Sequence, residues 1–292
     1  MPSLKDIRDR IRSVSNTAKI TSAMQLIAAS RMQRAQQMVR NGRPYADQMR
    51  EVLSHLVMRL EAEDETLDPL LQRRPNQREL LVLVTPDRGL AGALVGNILR
   101  VAAQELRDAE VPVDTVGIGR KGERFVARTG QSLVASFSVG DRPSLGDTLD
   151  ISSFVIDRYR SGDVDSVKLI YAQFVNTSVQ RPVNLQLLPI ATTSSGSDSD
   201  DGPALYLDYI YEPSPAEVLA NIAPRYVETL VYHAILEAQA SEHSARMIAM
   251  QNATDNANEL IEDLTLDLNK ARQEAITGEL LDIVGGVAGV QG

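Results

Sequence analysis

The chain has 292 residues, of which 43% are apolar, and a formal net charge of −9; that is enough for one or two domains with a sizeable core, and no apolar run nears the roughly 18 residues of a membrane-spanning helix. Cysteine is absent, which excludes disulfides and thiol redox chemistry. Tryptophan is absent too, and the aromatic fraction of 4% suits the Ala-, Leu- and Gln-rich make-up of a coiled coil.

Ser3-Leu4-Lys5-Asp6 reads as a capping-box-like helix start. From it Leu4, Ile7, Ile11, Val14, Ala18 and Thr21 step by three and four, and Gln25, Ala28, Met32, Ala35 and Val39 carry the register on. That spacing averages about 3.5 residues, as in a coiled-coil seam. An N-terminal helix is therefore expected over residues 1–60, bending near Asn41-Gly42-Arg43-Pro44. A capped helix that carries Asp6 and Asp9 is not a targeting peptide, so a cytosolic chain is expected. Between Asp9 and Asp47 there is no acidic residue, while Arg10, Arg12, Lys19, Arg31, Arg34, Arg40 and Arg43 are basic.

Residues 61–77 are polar, with Pro69 and Pro75, and read as a linker. The texture changes in residues 78–191. Glu79 to Thr85 is a short apolar run closed by Pro86, as in a buried parallel strand. Asp87-Arg88-Gly89-Leu90-Ala91-Gly92 leads into a helix reaching about Ala109. Strands are expected at Val113 to Ile118, Ser132 to Val139, Val167 to Phe174 and Val183 to Ile190. Helices are expected at Arg120 to Arg128 and from the Ser144 cap to near Gly162. Alternating strands and helices make this a small doubly wound α/β domain. Thr192 to Pro203 is a Ser/Gly/Asp loop, and residues 192–213 form a connecting segment.

Residues 214–292 open with Ser214-Pro215-Ala216-Glu217, a Ser cap with Pro at the first helical position and Glu at the third. The seam then runs through Val227, Val231, Ala234, Ala238, Ser241, Ala245 and Ile248, and on through Ala257, Leu260, Leu264, Leu268, Ala271 and Ala275. A helix from Ser214 to Val284 would be about 100 Å long at 1.5 Å per residue, too long to pack inside one domain. The N-terminal helix is its natural antiparallel partner. The acidic residues Glu237, Glu242, Asp255, Glu259, Glu262, Asp263 and Asp267 complement the basic face, which also suits an acidic partner. Nucleic acid is not expected, because the basic residues lack interleaved aromatics and the whole chain is acidic.

The α/β domain invites a search for chemistry, and the search finds none. Gly89, Gly92 and Gly96 do not have the dinucleotide-binding spacing. Gly119-Arg120-Lys121-Gly122 lacks the spacing and hydroxyl of a P-loop. Asp198, Asp200 and Asp201 fail as a calcium loop, because Gly202 stands where a ligand belongs and Tyr209 where the bidentate Glu would. His55, His233 and His243 have no metal-ligand spacing. No catalytic, cofactor-binding or metal-binding residues are assigned.

Two long terminal helices paired as a shaft, with an α/β globule between them in sequence, resemble the gamma subunits of F-type ATP synthases. The resemblance runs from Ser3 to about Val287. It is carried most strongly by Ser241-Glu242-His243-Ser244-Ala245-Arg246-Met247-Ile248-Ala249-Met250 and Ala253-Thr254-Asp255-Asn256-Ala257. Asn269-Lys270-Ala271-Arg272-Gln273 and Ile276-Thr277-Gly278-Glu279-Leu280 follow in order. Ile7-Arg8, Asn16-Thr17, Lys19-Ile20-Thr21 and Ala23-Met24 match at the other end, and Asp87 to Gly92 and Tyr209-Ile210-Tyr211-Glu212-Pro213 in the middle. Ala91, Ala93 and Val95 depart from the family's frequent Cys, Gly and Asn. The regulatory cysteine insert of chloroplast members is absent.

The resemblance implies a non-catalytic rotor shaft, one per complex, on the axis of three alpha and three beta subunits, its foot on the c-subunit ring with epsilon. Proton-driven turning of that ring would be coupled to ATP chemistry on beta. The chain would then be a peripheral protein on the cytoplasmic face of a bacterial plasma membrane. It implies further that Arg10, Arg12, Lys19 and Met24 face beta, that Arg272 and Gln273 contact loops of beta, and that Tyr209, Tyr211 and Glu212 form the foot. Plainer readings stay open: Met24 as seam packing, Arg272 as a solvated charge, Tyr209 as domain core. A cytosolic coiled-coil scaffold, or an α/β enzyme with helical arms and a ligand near Pro86 to Gly92, are the alternatives.

Overall fold

The computed structural model of the chain describes residues 3–62, 68–191 and 211–291. The elements are α1 (Leu4–Ala62), β1 (Glu79–Val84), α2 (Leu94–Asp108), β2 (Val113–Ile118), α3 (Arg120–Thr129), β3 (Ser132–Phe137), α4 (Leu145–Arg160), β4 (Ser166–Phe174), β5 (Gln180–Leu188) and α5 (Pro215–Gln291). They form two compact units, Ser30–Ala245 and Met1–Ala29 with Arg246–Gly292. The expected Thr192 to Pro203 loop and Tyr209 lie outside the described residues.

In the Ser30–Ala245 unit one five-stranded sheet runs in the order β3-β2-β1-β4-β5. β1 pairs in parallel with β2 and β4, β2 in parallel with β3, and β5 closes the sheet antiparallel to β4. All six residues of β1 are buried, as a strand covered on both faces must be. Its side chains alternate between two cores. Leu80, Val82 and Val84 join α4 through Ile151, Val155 and Tyr159. Leu81 and Leu83 join α2 through Leu94, Ile98 and Ala102, and α3 through Val126. Helices on both faces make the sheet doubly wound. Helix α4 starts on the expected cap: the Ser144 Oγ accepts from the Asp147 amide, and the Asp147 carboxylate accepts from the Ser144 amide in return.

The α4 face is also covered by the two long helices. Leu53, Leu56, Val57 and Leu60 of α1 and Leu219, Ala223, Val227, Val231 and Ile235 of α5 belong to the same core. Farther along, Ala35 and Val39 pack with Leu236 and Ala240. Gly42 lies under the ring of His233, and Arg50 Nε donates to the Tyr226 hydroxyl at 3.3 Å. Position numbers rise on α1 as they fall on α5, so the helices are antiparallel. The expected bend at Pro44 does not end the helix: α1 is continuous through it. A proline inside a helix costs about 3 kcal/mol. Pro44 is exposed, so the carbonyl it leaves unpaired faces water, and the buried Leu53, Leu56 and Leu60 that follow each return roughly 1.5–3 kcal/mol.

In the other unit the start of α1 pairs with α5 beyond Arg246. Ser3 and Asp6 exchange the two capping hydrogen bonds, at 3.0 and 3.2 Å. Ile7, Ala18, Thr21 and Ala28 are buried on α1, and Met250, Ala257 and Leu264 on α5. The Thr21 and Thr254 hydroxyls meet at 2.7 Å. Two seam residues, Leu260 and Ala275, are misplaced by the sequence. Leu260 is 46% exposed, and Ile261 is half-buried where the seam passes. Stepping 4 then 3 from Ala257 reaches Leu264 as readily as 3 then 4, and the α1 surface selects the former. Ala275 is exposed, and α5 continues past the expected Val284 to Gln291.

Candidate functional site

The residues implied in contacts to beta all fall in the helix pair of Met1–Ala29 with Arg246–Gly292. Arg10, Arg12 and Lys19 are exposed on α1. Arg12 lies 4.0 Å from Asp9, three residues earlier, and its side chain is almost wholly in water, so that pair adds little to stability. Met24 is half-buried, partway between seam packing and a surface residue. Arg272 and Gln273 are both exposed, and the Gln273 carbonyl accepts from the Thr277 hydroxyl at 2.9 Å.

The pair does not bring these residues to one spot. With Thr21 opposite Thr254, Met24 lies opposite the stretch near Gln251. Arg272 is then about 30 Å farther along α5 at 1.5 Å per residue. The candidates are strung along the pair, as suits a long contact surface. They do not form a catalytic constellation.

The same surface carries large apolar residues outside the seam. Ile20, Leu26 and Ile27 on α1, and Leu260, Leu266, Ile276 and Leu280 on α5, are all between 46% and 69% exposed. These side chains lie outside the buried seam, in contact with water along the helix pair. Apart from Leu260, which the seam reading places inside, these residues were missed by following the seam alone. Their signal was in the sequence as apolar residues out of the three-and-four register.

The foot candidates in the Ser30–Ala245 unit divide. Tyr211 is half-buried against the core, with the Arg59 guanidinium 6.0 Å from its ring centre, whereas Glu212 is exposed. Tyr209 lies outside the described residues.

The carboxyl end of the sheet, where α/β folds usually take ligands, is occupied by the chain itself. The Thr85 Oγ1 accepts from the Gly122 amide at 2.7 Å, and the Asp87 Oδ1 accepts from the Arg120 amide at 2.9 Å. The amides that would receive a phosphate at the start of α3 are thus already satisfied. Gly119, at φ 91°, comes so close to the Thr85 carbonyl that a Cβ there would collide with it. Leu90 holds φ 62° with its side chain 64% exposed, a strained conformation of the kind found at contact sites. At the opposite, amino end of the sheet a cleft of about 530 Å³ is lined by Arg73, Arg74, Glu79 and Lys168 among others. There Lys168 Nζ is held by Glu79 at 3.1 Å and Glu105 at 2.6 Å. Among the described residues, no group of three or more His, Asp or Glu side chains is placed to hold a metal ion.

A family model described as ATP synthase matches residues 3–290. Several curated proteins are similar over the full length. The ATP synthase gamma chain of Dehalococcoides mccartyi strain 195 is 50% identical over 289 residues, 99% of each chain. That of Roseiflexus sp. strain RS-1 is 50% identical over 294 residues, covering 99% of this chain and 98% of the relative. That of Chloroflexus aurantiacus J-10-fl is 46% identical over 292 residues, 99% of each. Among solved structures, a chain of the Euglena gracilis mitochondrial ATP synthase rotor aligns with a TM-score of 0.63 at 15% identity, over 94% of this chain and 98% of that one. A chain of the Tetrahymena thermophila mitochondrial ATP synthase central stalk and c-ring aligns with a TM-score of 0.58 at 23% identity, over 80% and 99%. At those identities the structures establish the shared fold.

Proposed function

The chain belongs to the ATP synthase gamma-chain family, and from that premise we propose that it is the central rotating shaft of a proton-translocating F-type ATP synthase. In this reading one copy stands on the axis of three alpha and three beta subunits, with its foot on the c-subunit ring beside epsilon. ATP chemistry stays on beta, and this chain binds no cofactor of its own. The complex sits on the cytoplasmic face of a bacterial plasma membrane, with this chain peripheral to it. No described helix is long and apolar enough to cross a membrane.

The observation that carries the reading is the antiparallel helix pair, whose buried seam is bordered by exposed apolar and charged residues along its length. A shaft acts by differential contact. It favours one conformation of each beta subunit only as far as its contacts are stronger with that conformation. Turning an asymmetric surface past three equivalent subunits presents each with a different set of contacts in turn. Arg10, Arg12, Lys19 and Met24, and on α5 Arg272 and Gln273, are proposed as contacts to beta. Tyr211 and Glu212, with Tyr209, are proposed as the foot. The domain division of 1–60, 61–77, 78–191, 192–213 and 214–292 is retained as the functional one.

Arg272 and Gln273 are consecutive, so they point about 100° apart, and both lie outside the seam. A charge-assisted hydrogen bond to a beta loop, shielded from water, contributes about 1.5–3 kcal/mol. Arg272→Ala is therefore expected to weaken assembly or ATP turnover of the reconstituted alpha–beta–gamma complex several-fold, with α5 still folded because Ala favours helix. Glu262→Ala, also at an exposed position of α5, serves as control. Equal and small effects of the two substitutions would remove Arg272 from the contact surface. Co-purification of this chain without alpha and beta would overturn the function itself.

A further inference from the structure

Away from the contact surface, α1, α5 and β4 converge on one carboxyl group in the Ser30–Ala245 unit. Glu237 of α5 is 9% exposed, and its Oε2 is buried with no hydrogen-bond partner among the described residues. Its Oε1 lies 4.0 Å from a guanidinium nitrogen of Arg43 on α1, too far for a hydrogen bond, and the Arg43 side chain is itself 63% exposed. Tyr171 of β4, also buried, presents its hydroxyl to the same carboxyl group. One turn earlier on α5, His233 packs on Gly42 of α1, with its Nε2 only 2.7 Å from where a Cβ at that position would stand. A carboxylate in such a place has lost water and gained a single distant cation, an arrangement in which the desolvation penalty outweighs the attraction.

We propose that Glu237 is a proton-sensitive joint: its neutral form is the one this junction accommodates, so the grip of the two helices on β4 tightens as pH falls and slackens as pH rises. Ionisation would bury an incompletely paired charge between α1, α5 and β4. The groups that face it are Arg43 on α1, Tyr171 on β4 and, on its own helix, His233, which feels Asp47 of α1. Burial pushes the Glu237 carboxyl above its ordinary 4.5, with Arg43 and then Tyr171 opposing. Burial likewise pushes the Tyr171 hydroxyl up, and the Glu237 charge adds to it.

An acid whose folded value lies above its unfolded one contributes stability that is complete below the unfolded 4.5 and is lost as pH rises through the folded value. His233 acts in the opposite sense. Burial lowers it from 6.5, so its contribution is complete above that value and is lost as pH falls. Comparing the native chain with Glu237→Gln cancels the His233 contribution, which both share.

The test is thermal unfolding of the full-length chain and of Glu237→Gln between about pH 5 and pH 8.5. The variant, permanently neutral and of the same shape, is expected to match the native chain at the acid end. At the alkaline end it should exceed the native midpoint by about 2–4 °C. A gap independent of pH, or a variant less stable at alkaline pH, overturns the proposal. Infrared spectroscopy of the native chain reads the proton directly and does not depend on the variant folding. A protonated-carboxyl band that persists to higher pH in the folded chain than in the chain unfolded in denaturant is expected, and identical titration of the two overturns the proposal.

Discussion

Thr85 is where a single hydroxyl decides what the sheet can bind. It lies just past β1 and is 7% exposed. Besides accepting from Gly122, its Oγ1 sits 3.2 Å from the carbonyls of Ile118 and Gly119, to one of which it donates. Thr85→Val keeps the shape and leaves a buried amide unpaired, so it is expected to destabilise the chain by about 1–3 kcal/mol. Thr85→Ser should recover most of the loss, and denaturant unfolding of the two variants measures the difference. If Thr85→Val proves neutral, the hydroxyl is not what closes the crevice. The sequence showed the strand ending here and showed that Gly119 and Gly122 lack nucleotide-binding spacing. It could not show that those glycines are there to let α3 approach Thr85, because the contact joins positions 34 and 37 residues apart. The strain at Leu90 was equally hidden, since leucine gives no sign of a positive φ.

At the scale of elements, most of the fold was legible because its signals are local. The Ser144 cap, the apolar run of β1 and the terminal seams each announce themselves within a few residues. What failed depended on a distant partner. Leu260 reads as seam until the α1 surface chooses Ile261. The seam register is directly testable. Thr21→Cys with Thr254→Cys places two thiols where hydroxyls already meet at 2.7 Å, in a chain with no other cysteine. Mild oxidation is expected to join them, seen as a mobility shift reversed by reductant. Thr21→Cys with Leu260→Cys should not crosslink, because Leu260 points to solvent. The reverse result would move the seam.

For the whole molecule, the exposed apolar residues divide stability from assembly. Leu266 is 68% exposed and supports little of this chain's own core. Leu266→Gln is therefore expected to change the unfolding free energy by no more than about 0.5 kcal/mol. It should nevertheless weaken assembly with alpha and beta subunits, read as the fraction of complex recovered on size exclusion. Loss of chain stability with assembly intact would mean that Leu266 serves the fold alone. The family was readable from ordered motifs spread over the whole length. The off-seam surface left a trace as apolar residues out of register, but which of them are exposed becomes visible only once the partner helix is in place.

The pairing of Thr21 with Thr254 also has a consequence for biosynthesis. The first helix to leave the ribosome finds its partner only when the last has been made. At about 5–20 residues per second the interval is on the order of ten to fifty seconds. Through that time the stripe of Ile7, Ala18 and Ala28 has nothing to cover it, while the strands between Glu79 and Leu188 have already emerged. Contacts this distant in sequence form late, since closing the intervening chain costs entropy before any burial repays it. The nascent N-terminal helix thus waits longest for its cover, and truncation before Met250 would leave its stripe permanently exposed.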